Sequence, residues 1–301
     1  MKWLSLLHFR LKKKVLVIYN FMDINSAINE GSLILKKGLI SSAQLDSELL
    51  MSKIIEKDRK DMILYQNEKL NSESYENFKF LISERLKKKP VAYLLGKKDF
   101  WKYQFKISEG VLIPRPDTEI IVEKVLKITK YKQKLKILDI GVGSGCILLS
   151  ILKEKNYCKG VGIDISKKCV EIARLNAADL GLLNRVKIVK SDIDNFADGK
   201  YDLIISNPPY VNKLDLKHLE LDVINFEPNL ALDGGRDGLS IIKKVINKSS
   251  GLLKINGKFF LEIGFDQKDK VKKLLKKKGF YINKIVKDYA NNDRCIISTK
   301  I

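Results

Sequence analysis

The sequence predicts an α/β fold, a Rossmann-like sheet domain preceded by a small helical bundle. Three observations predict it. Short β-rich runs in the second half end in glycines or acids and pass into helical periodicity, the strand, loop and helix rhythm of such a sheet. Residues 23–89 carry apolar side chains at helical spacing without such runs. The chain has 301 residues, 45% of them apolar, enough for one large or two modest domains with a real core.

From the N-terminus, Met1 to Leu7 is mostly apolar, Arg10 to Lys14 basic, and Val15 to Tyr19 apolar again. That order is wrong for a secretory signal, and neither stretch approaches the ~18 residues needed to span a bilayer. Residues 1–21 are expected to be a start-site extension or a loosely held tail, and no function is assigned to them. Residues 22–89 form the helical domain. From about Asp23 the stretch reads helical throughout, with Ile28-Asn29-Glu30-Gly31 preceding Leu33, Ile34 and Leu35. Ser41 or Ser42 can cap one carrying Leu45, Leu49, Leu50 and Ile54, and Ser72 or Ser74 one carrying Phe78, Leu81, Ile82 and Leu86. Pro90 ends the bundle, and residues 90–118 are expected to be a hairpin linker spanning Tyr93 to Val111. Residues 119–301 form the sheet domain. No internal repeat or low-complexity segment interrupts the chain.

In the sheet domain Lys136-Ile137-Leu138-Asp139-Ile140 reads as a strand, followed at once by Gly141-Val142-Gly143-Ser144-Gly145 and then by Cys146-Ile147-Leu148-Leu149 at helical period. This is the order in which backbone N–H groups and a helix N-terminus converge on a ligand. The loop is G-x-G-x-G, and no Lys-Ser/Thr follows it, which excludes a P-loop. A second strand, Gly160 to Ile163, ends in Asp164, about 20 residues beyond the loop, where a carboxylate can take both hydroxyls of a ribose. Ser166 is placed to cap a helix running to Gly181. A third strand, Val186 to Val189, ends at Ser191-Asp192-Ile193. A fourth, Leu203-Ile204-Ile205, leads into Asn207-Pro208-Pro209-Tyr210. There Asn207 supplies a side-chain carbonyl, and the prolines hold the chain extended with the Pro208 carbonyl as a second acceptor. Two fixed acceptors beside an aromatic ring suit a planar group bearing an NH2, either a carboxamide or a nucleobase amine.

Together these segments resemble a class I S-adenosyl-L-methionine-dependent methyltransferase over about residues 110 to 301. A narrower resemblance spans nearly the whole chain from about Met22. Gly110-Val111-Leu112-Ile113-Pro114-Arg115-Pro116-Asp117-Thr118-Glu119 is similar to the segment before the cofactor loop in the protein-glutamine methyltransferases of peptide chain release factors, the HemK/PrmC family. So are Pro90 to Gly96 with Phe100, Glu227-Pro228 through Ala231 to Leu239, Glu262-Ile263-Gly264 with Gln267, and Lys287-Asp288 through Asp293-Arg294. Apart from the resemblance, the Ile113 to Glu119 string is a proline-stiffened linker with a helix N-cap at Asp117 or Thr118.

The resemblance implies S-adenosyl-L-methionine as cofactor, a release factor as protein partner, and a helical bundle that helps hold it. It implies that Gly141, Val142, Gly143, Ser144 and Gly145 face the methionine moiety, Asp164 the ribose, and Asp192 with Ile193 the adenine, with Asn207 bordering the cofactor. Asn207, Pro208, Pro209 and Tyr210 would bind the substrate amide, with Asn207, Pro208 and Tyr210 catalytic. Phe100 could close the site; its plain alternative is a core aromatic.

Three other functions share parts of this pattern. An adenine amino-methyltransferase on DNA or RNA uses the same tetrapeptide but must flip its base, and no recognisable target-recognition module is present. A glutamine methyltransferase could act on a ribosomal protein instead. A catalytically silent binding module could keep the fold, against which stand intact Asn207 and Asp164.

Composition bounds the remaining choices. Lys and Arg total 57 against 36 Asp and Glu, a formal net charge of +21, which favours anionic partners through long-range attraction. The runs Arg85 to Lys89, Lys272-Lys273 and Lys276 to Lys278 read as solvated helix faces with few aromatics, unlike a nucleic-acid stacking platform. Cys146, Cys158, Cys169 and Cys295 form no C-x-x-C pair and have no clustered histidines, so neither a metal site nor a disulfide framework is expected, and a reducing cytoplasm fits. His8 and His218 have no nucleophile motif beside them, which leaves a hydrolase triad without support.

Overall fold

The computed structural model describes residues 22–301, so the expectation for residues 1–21 lies outside the described residues. The chain divides into two compact units at Ile82 and Ser83.

The first unit is helical: α1 Ile24–Lys37, α2 Ala43–Ile55, a short turn α3 Met62–Tyr65, and α4 Ser72–Leu86, which crosses the division. Asp23 caps α1, its carboxylate accepting from the Ser26 N–H at 2.8 Å. The helix therefore begins directly after Asp23 and runs through Gly31, in keeping with the helical reading from about Asp23. Gly31 fits for lack of space, since a Cβ there would lie 2.8 Å from both Phe78 and Ser47. The cap of α4 is Asn71, which accepts from Ser74 N–H at 2.7 Å, and not Ser72 or Ser74. Ser42 stands at the start of α2 without a side-chain cap bond.

In the second unit, α5 Val91–Leu95 places Tyr93 in a helical turn. The hairpin is correspondingly shorter than expected: β1 Lys97–Phe100 pairs with β2 Tyr103–Lys106. Phe100 is a core aromatic, buried and edge-on to Phe105 with ring centroids 6.2 Å apart, and does not close the site. After α6 Glu119–Ile128 comes the sheet. Its elements are β3 Lys136–Ile140, α7 Cys146–Glu154, β4 Lys159–Asp164, α8 Lys167–Asp179, β5 Val186–Lys190 and β6 Tyr201–Ser206. The chain continues through α9 Leu221–Phe226, α10 Ser240–Leu252, β7 Leu253–Glu262, α11 Lys268–Lys277, β8 Phe280–Lys287 and β9 Asp293–Lys300.

The strand order is β5-β4-β3-β6-β7-β9-β8. The first five are parallel, β9 runs antiparallel to β7, and β8 antiparallel to β9. Side chains alternate between two cores. Ile137, Leu203, Ile205 and Phe260 pack with α6, α7 and α8, while Leu138, Ile204, Phe259 and Leu261 pack with α10 and α11. From β3 the chain winds outward through β4 and β5, then returns to lay β6 on the other side of β3. The carboxyl ends of β3 and β6 thus flank a topological switch point, where open α/β sheets bind ligands.

Charged runs divide by environment. Val271 and Leu275 of α11 are buried while Lys273, Lys276 and Lys277 are exposed, a solvated face as expected. Arg85 departs from the expectation: it is buried, bonded to Asp222 at 2.7 Å and to the Lys89 carbonyl. The four cysteines are buried and unpaired. Among the described residues no helix is long and apolar enough to cross a membrane.

Candidate active site

Register brings the predicted strand ends together. Ile140 pairs with Ile163 on one side and Ser206 on the other, so Gly141, Asp164 and Asn207 are the next residues on three adjacent strands. Asp164 pairs with Lys190, two residues before Asp192. Ser206 locks β6 to β3 through its hydroxyl, which donates to the Ile140 carbonyl at 2.7 Å. Asn176 of α8 ties the glycine loop to the hairpin, donating to the Ser144 carbonyl while bonding both backbone groups of Lys106.

The glycine loop turns through positive φ at Gly141, Gly143 and Gly145, a region glycine enters without penalty. Its N–H groups do not all face a ligand. Those of Gly141 and Val142 go to the Ile163 carbonyl, that of Gly143 to Asp164 and that of Gly145 to the Val142 carbonyl. The loop's larger contribution is room, because a Cβ at Gly141 or Gly143 would meet nothing within 4 Å.

Asp164 accepts from Gly143 N–H on one oxygen and Ser166 N–H on the other, both at 2.9 Å. Each oxygen keeps a second acceptor site. Burial raises its pKa and the two backbone bonds oppose the rise. Ser166 caps α8 by accepting from Cys169 N–H, and Gly181 beyond the helix has φ of 68°, as the sequence indicated. Asp192 is half-buried and accepts from Asp194 N–H, and Ile193 packs against the second core.

Asp139, unremarked in the sequence beyond its place in the strand, is the unexpected member. It lies one residue before the end of β3, is buried, and among the described residues neither carboxylate oxygen has a hydrogen-bond partner. Burial, with the charge of Asp164 second, pushes its pKa up to about 8, against a weaker opposing pull from the Leu148 backbone N–H. A buried carboxylate without a partner is costly unless a cation or donor arrives. S-adenosyl-L-methionine carries both a sulfonium and an ammonium group, and the open space at Gly141 and Gly143 lies beside this carboxylate in sequence. The residues present therefore fit that cofactor.

At the end of β6, Asn207 is half-buried and its Nδ2 donates to Thr118 Oγ1 at 3.2 Å. Among the described residues its Oδ1 and the Pro208 carbonyl receive no hydrogen bond, leaving both acceptors the sequence anticipated. Pro208 is buried and Pro209 half-buried. Tyr210 is anchored from beneath: its hydroxyl donates to Glu262 Oε1 and accepts from Arg294, each at 3.3 Å, and its carbonyl accepts from Gln267 at 2.9 Å. Burial, then the charge of Glu262, raises the Tyr210 pKa. The loop Asp233 to Leu239 packs alongside. A Cβ on Gly238, at φ of 68°, would lie 2.6 Å from the Tyr210 carbonyl.

The Ile113 to Glu119 string now has a role for its polar residues. Glu227 is buried and accepts from Arg115 at 2.5 Å and from Ile113 N–H at 3.2 Å. Thr118 precedes α6 yet makes no cap bond; its hydroxyl donates to Glu262 Oε2 at 2.8 Å. Asp139 and Glu262 share a signal that sequence alone carried, an acid between apolar residues at the end of an apolar strand, in Leu138-Asp139-Ile140 and Leu261-Glu262-Ile263. A cavity of about 630 Å³ between α11 and β8, lined by Lys272, Phe280, Tyr281 and Ile285 among others, contains none of the predicted site residues.

Comparison with known proteins agrees with the resemblance carried by the motifs. Residues 116–288 match the family described as methyltransferase small domain, and residues 26–96 match the PrmC N-terminal domain. The release factor glutamine methyltransferase of Clostridium botulinum is 38% identical over 93% of this chain and 100% of its own length. The enzyme of the same name from Caulobacter vibrioides is 35% identical over 88% of this chain and 92% of its own. The bifunctional methyltransferase of Rickettsia felis is 33% identical over 93% of this chain, which spans 58% of that relative's length.

Proposed function

The chain belongs to the family of release factor glutamine methyltransferases, S-adenosyl-L-methionine-dependent enzymes, and from that premise we propose that it methylates the side-chain amide nitrogen of a glutamine in a class 1 peptide chain release factor, the glutamine of its Gly-Gly-Gln motif. The supporting observation is the pair of unbonded acceptors, Asn207 Oδ1 and the Pro208 carbonyl, at a strand end adjacent to the glycine loop. The cytoplasm is the proposed compartment, where release factors work and four reduced cysteines are at home.

A primary amide is a poor nucleophile because its nitrogen lone pair is delocalised into the carbonyl. Two acceptors on its N–H groups favour the form with charge on nitrogen and fix the direction of its remaining lone pair. Asn207 and the Pro208 carbonyl supply these acceptors; Tyr210, held by Glu262 and Arg294, bounds the slot and excludes water. When bound, S-adenosyl-L-methionine supplies an electrophilic sulfonium methyl. Asp139 offers negative charge to its cationic end, Asp164 acceptors for ribose hydroxyls, and Asp192 with Ile193 an edge and a face for adenine. No residue is required as a strong base, since the nitrogen proton becomes acidic on alkylation and leaves to water.

The test is incubation of the protein with labelled cofactor and a release factor, alongside a variant factor whose Gly-Gly-Gln glutamine is replaced. Label on the first and none on the second is expected; equal labelling of both would overturn the assignment.

A further inference from the structure

Thr118 stands between a buried carboxylate and the side chain that would hold the substrate. Its single hydroxyl proton can serve only one of two neighbours, Glu262 Oε2 at 2.8 Å or Asn207 at 3.2 Å. With Glu262 ionised, the proton goes to the carboxylate, and the Thr118 lone pair is left for an N–H of Asn207. The amide then presents Oδ1, an acceptor, to the substrate NH2. With Glu262 protonated, its own O–H can donate to Thr118, whose proton is released to bond Oδ1 of a turned-over amide. Asn207 would then meet the substrate NH2 donor to donor.

Building on the proposed function, we propose that Thr118 and Glu262 are positioning residues that set the polarity of the Asn207 side-chain amide, so that methyl transfer requires Glu262 in its ionised form.

The surroundings keep both states within reach. Glu262 Oε1 receives the Tyr210 hydroxyl, which is bonded to Arg294. Arg294 is held by Asp288 at 2.9 Å, with Asp117 at 3.9 Å. Cys295, paired with Glu262 across β7 and β9, and Cys146 of α7 are buried thiols whose ionisation Glu262 opposes. Burial raises the Glu262 pKa to about 7, while the Thr118 bond, the Arg294 charge and the Tyr210 bond pull it down and Asp117 pushes it up. Protonation therefore falls in the neutral range. Activity on this account is full above that range and is lost as pH falls through it.

The experiment measures kcat against pH at saturating cofactor and substrate, with cofactor Kd measured separately. The unaltered protein is expected to show kcat falling about tenfold per pH unit below an apparent pKa near 7. Glu262→Gln, which cannot ionise, should lose that dependence. Thr118→Val should lower kcat about 10²-fold with cofactor Kd within about twofold, and Thr118→Ser should restore most of the rate. A merely structural role would change Kd and melting temperature without touching the pH profile. The proposal is overturned if Thr118→Val keeps kcat within about twofold, or if Glu262→Gln keeps the neutral limb. Should Thr118→Val fail to fold, the Glu262→Gln profile decides. Asn207→Ala separates the two levels: if it transfers methyl normally the proposed function fails, whereas an inactive Asn207→Ala beside a normal Thr118→Val removes only the relay.

Discussion

Asp139 and Glu262 are the same chemical arrangement put to different use. Both are buried acids at the carboxyl ends of neighbouring parts of one sheet, and burial raises the pKa of each. Glu262 is satisfied within the protein by Thr118 and Tyr210, with Arg294 behind. Among the described residues Asp139 has no side-chain partner, only a weak opposing pull from the Leu148 backbone N–H. A buried carboxylate that is fully bonded fixes its neighbours, and one left unbonded is a site awaiting a cation. On the proposed function, the glycine-loop side of the crevice would be completed by its ligand, while Glu262 on the Asn207 side is already completed by the protein.

The largest expected effect lies on the protein-completed side. Asn207→Ala should lower methyl transfer by at least about 10² to 10³-fold while cofactor Kd, measured by calorimetry, stays within about twofold. Loss of both together would mean that this strand end holds the cofactor, and the contrast between the two sides would disappear.

Next comes Asp139→Asn, which keeps shape and removes charge. It should weaken the cofactor by about 3 kcal/mol yet raise the melting temperature of the free protein, since the cost of holding a buried carboxyl protonated above its ordinary pKa is removed. A fall in melting temperature would show that the carboxylate serves the fold. The pH dependence carries the same sign. The folded pKa of Asp139, about 8, lies above the usual carboxylate value, so its contribution to stability is complete below about pH 4 and is lost as pH rises through 8. A cationic ligand prefers the ionised form, so affinity should tighten as pH rises toward 8 in the parent and stay level in Asp139→Asn. Scanning calorimetry and binding titrations across that range read both trends. The smallest effect is expected from Asp164→Ala, a loss of about 1.5 to 3 kcal/mol in cofactor binding. An unchanged Kd would remove Asp164 from the site and leave it as the brace of Gly143.

Much of the sheet was legible because its strands are contiguous β-rich runs closed by glycine or acid. The strand ends of β3, β4, β5 and β6, the cap at Ser166 and the acceptors of the Asn207 tetrapeptide could be placed from local pattern. The packing role of Gly31 could not, because nothing local shows Phe78 and Ser47 filling the space its side chain would need. Tyr93 was placed in the hairpin and lies in a helical turn, because a short apolar turn and a strand look alike until packing decides, whereas Phe100 took the core-aromatic alternative the sequence left open. The relay from Asn207 through Thr118 to Glu262 joins residues 89 and 144 positions apart, a separation that no window of periodicity spans. Asp139 and Glu262 announced themselves only as acids within apolar runs, and telling a ligand-seeking carboxylate from a satisfied one required coordinates.

The most direct measurement is of where the methyl goes. Purified protein, labelled S-adenosyl-L-methionine and a release factor should yield a single added methyl, mapped by mass spectrometry to the amide nitrogen of the Gly-Gly-Gln glutamine, and none with Asn207→Ala. Methyl found on another residue or on nucleic acid, or glutamine labelling that persists in Asn207→Ala, would contradict the claim that the end of β6 grips a primary carboxamide.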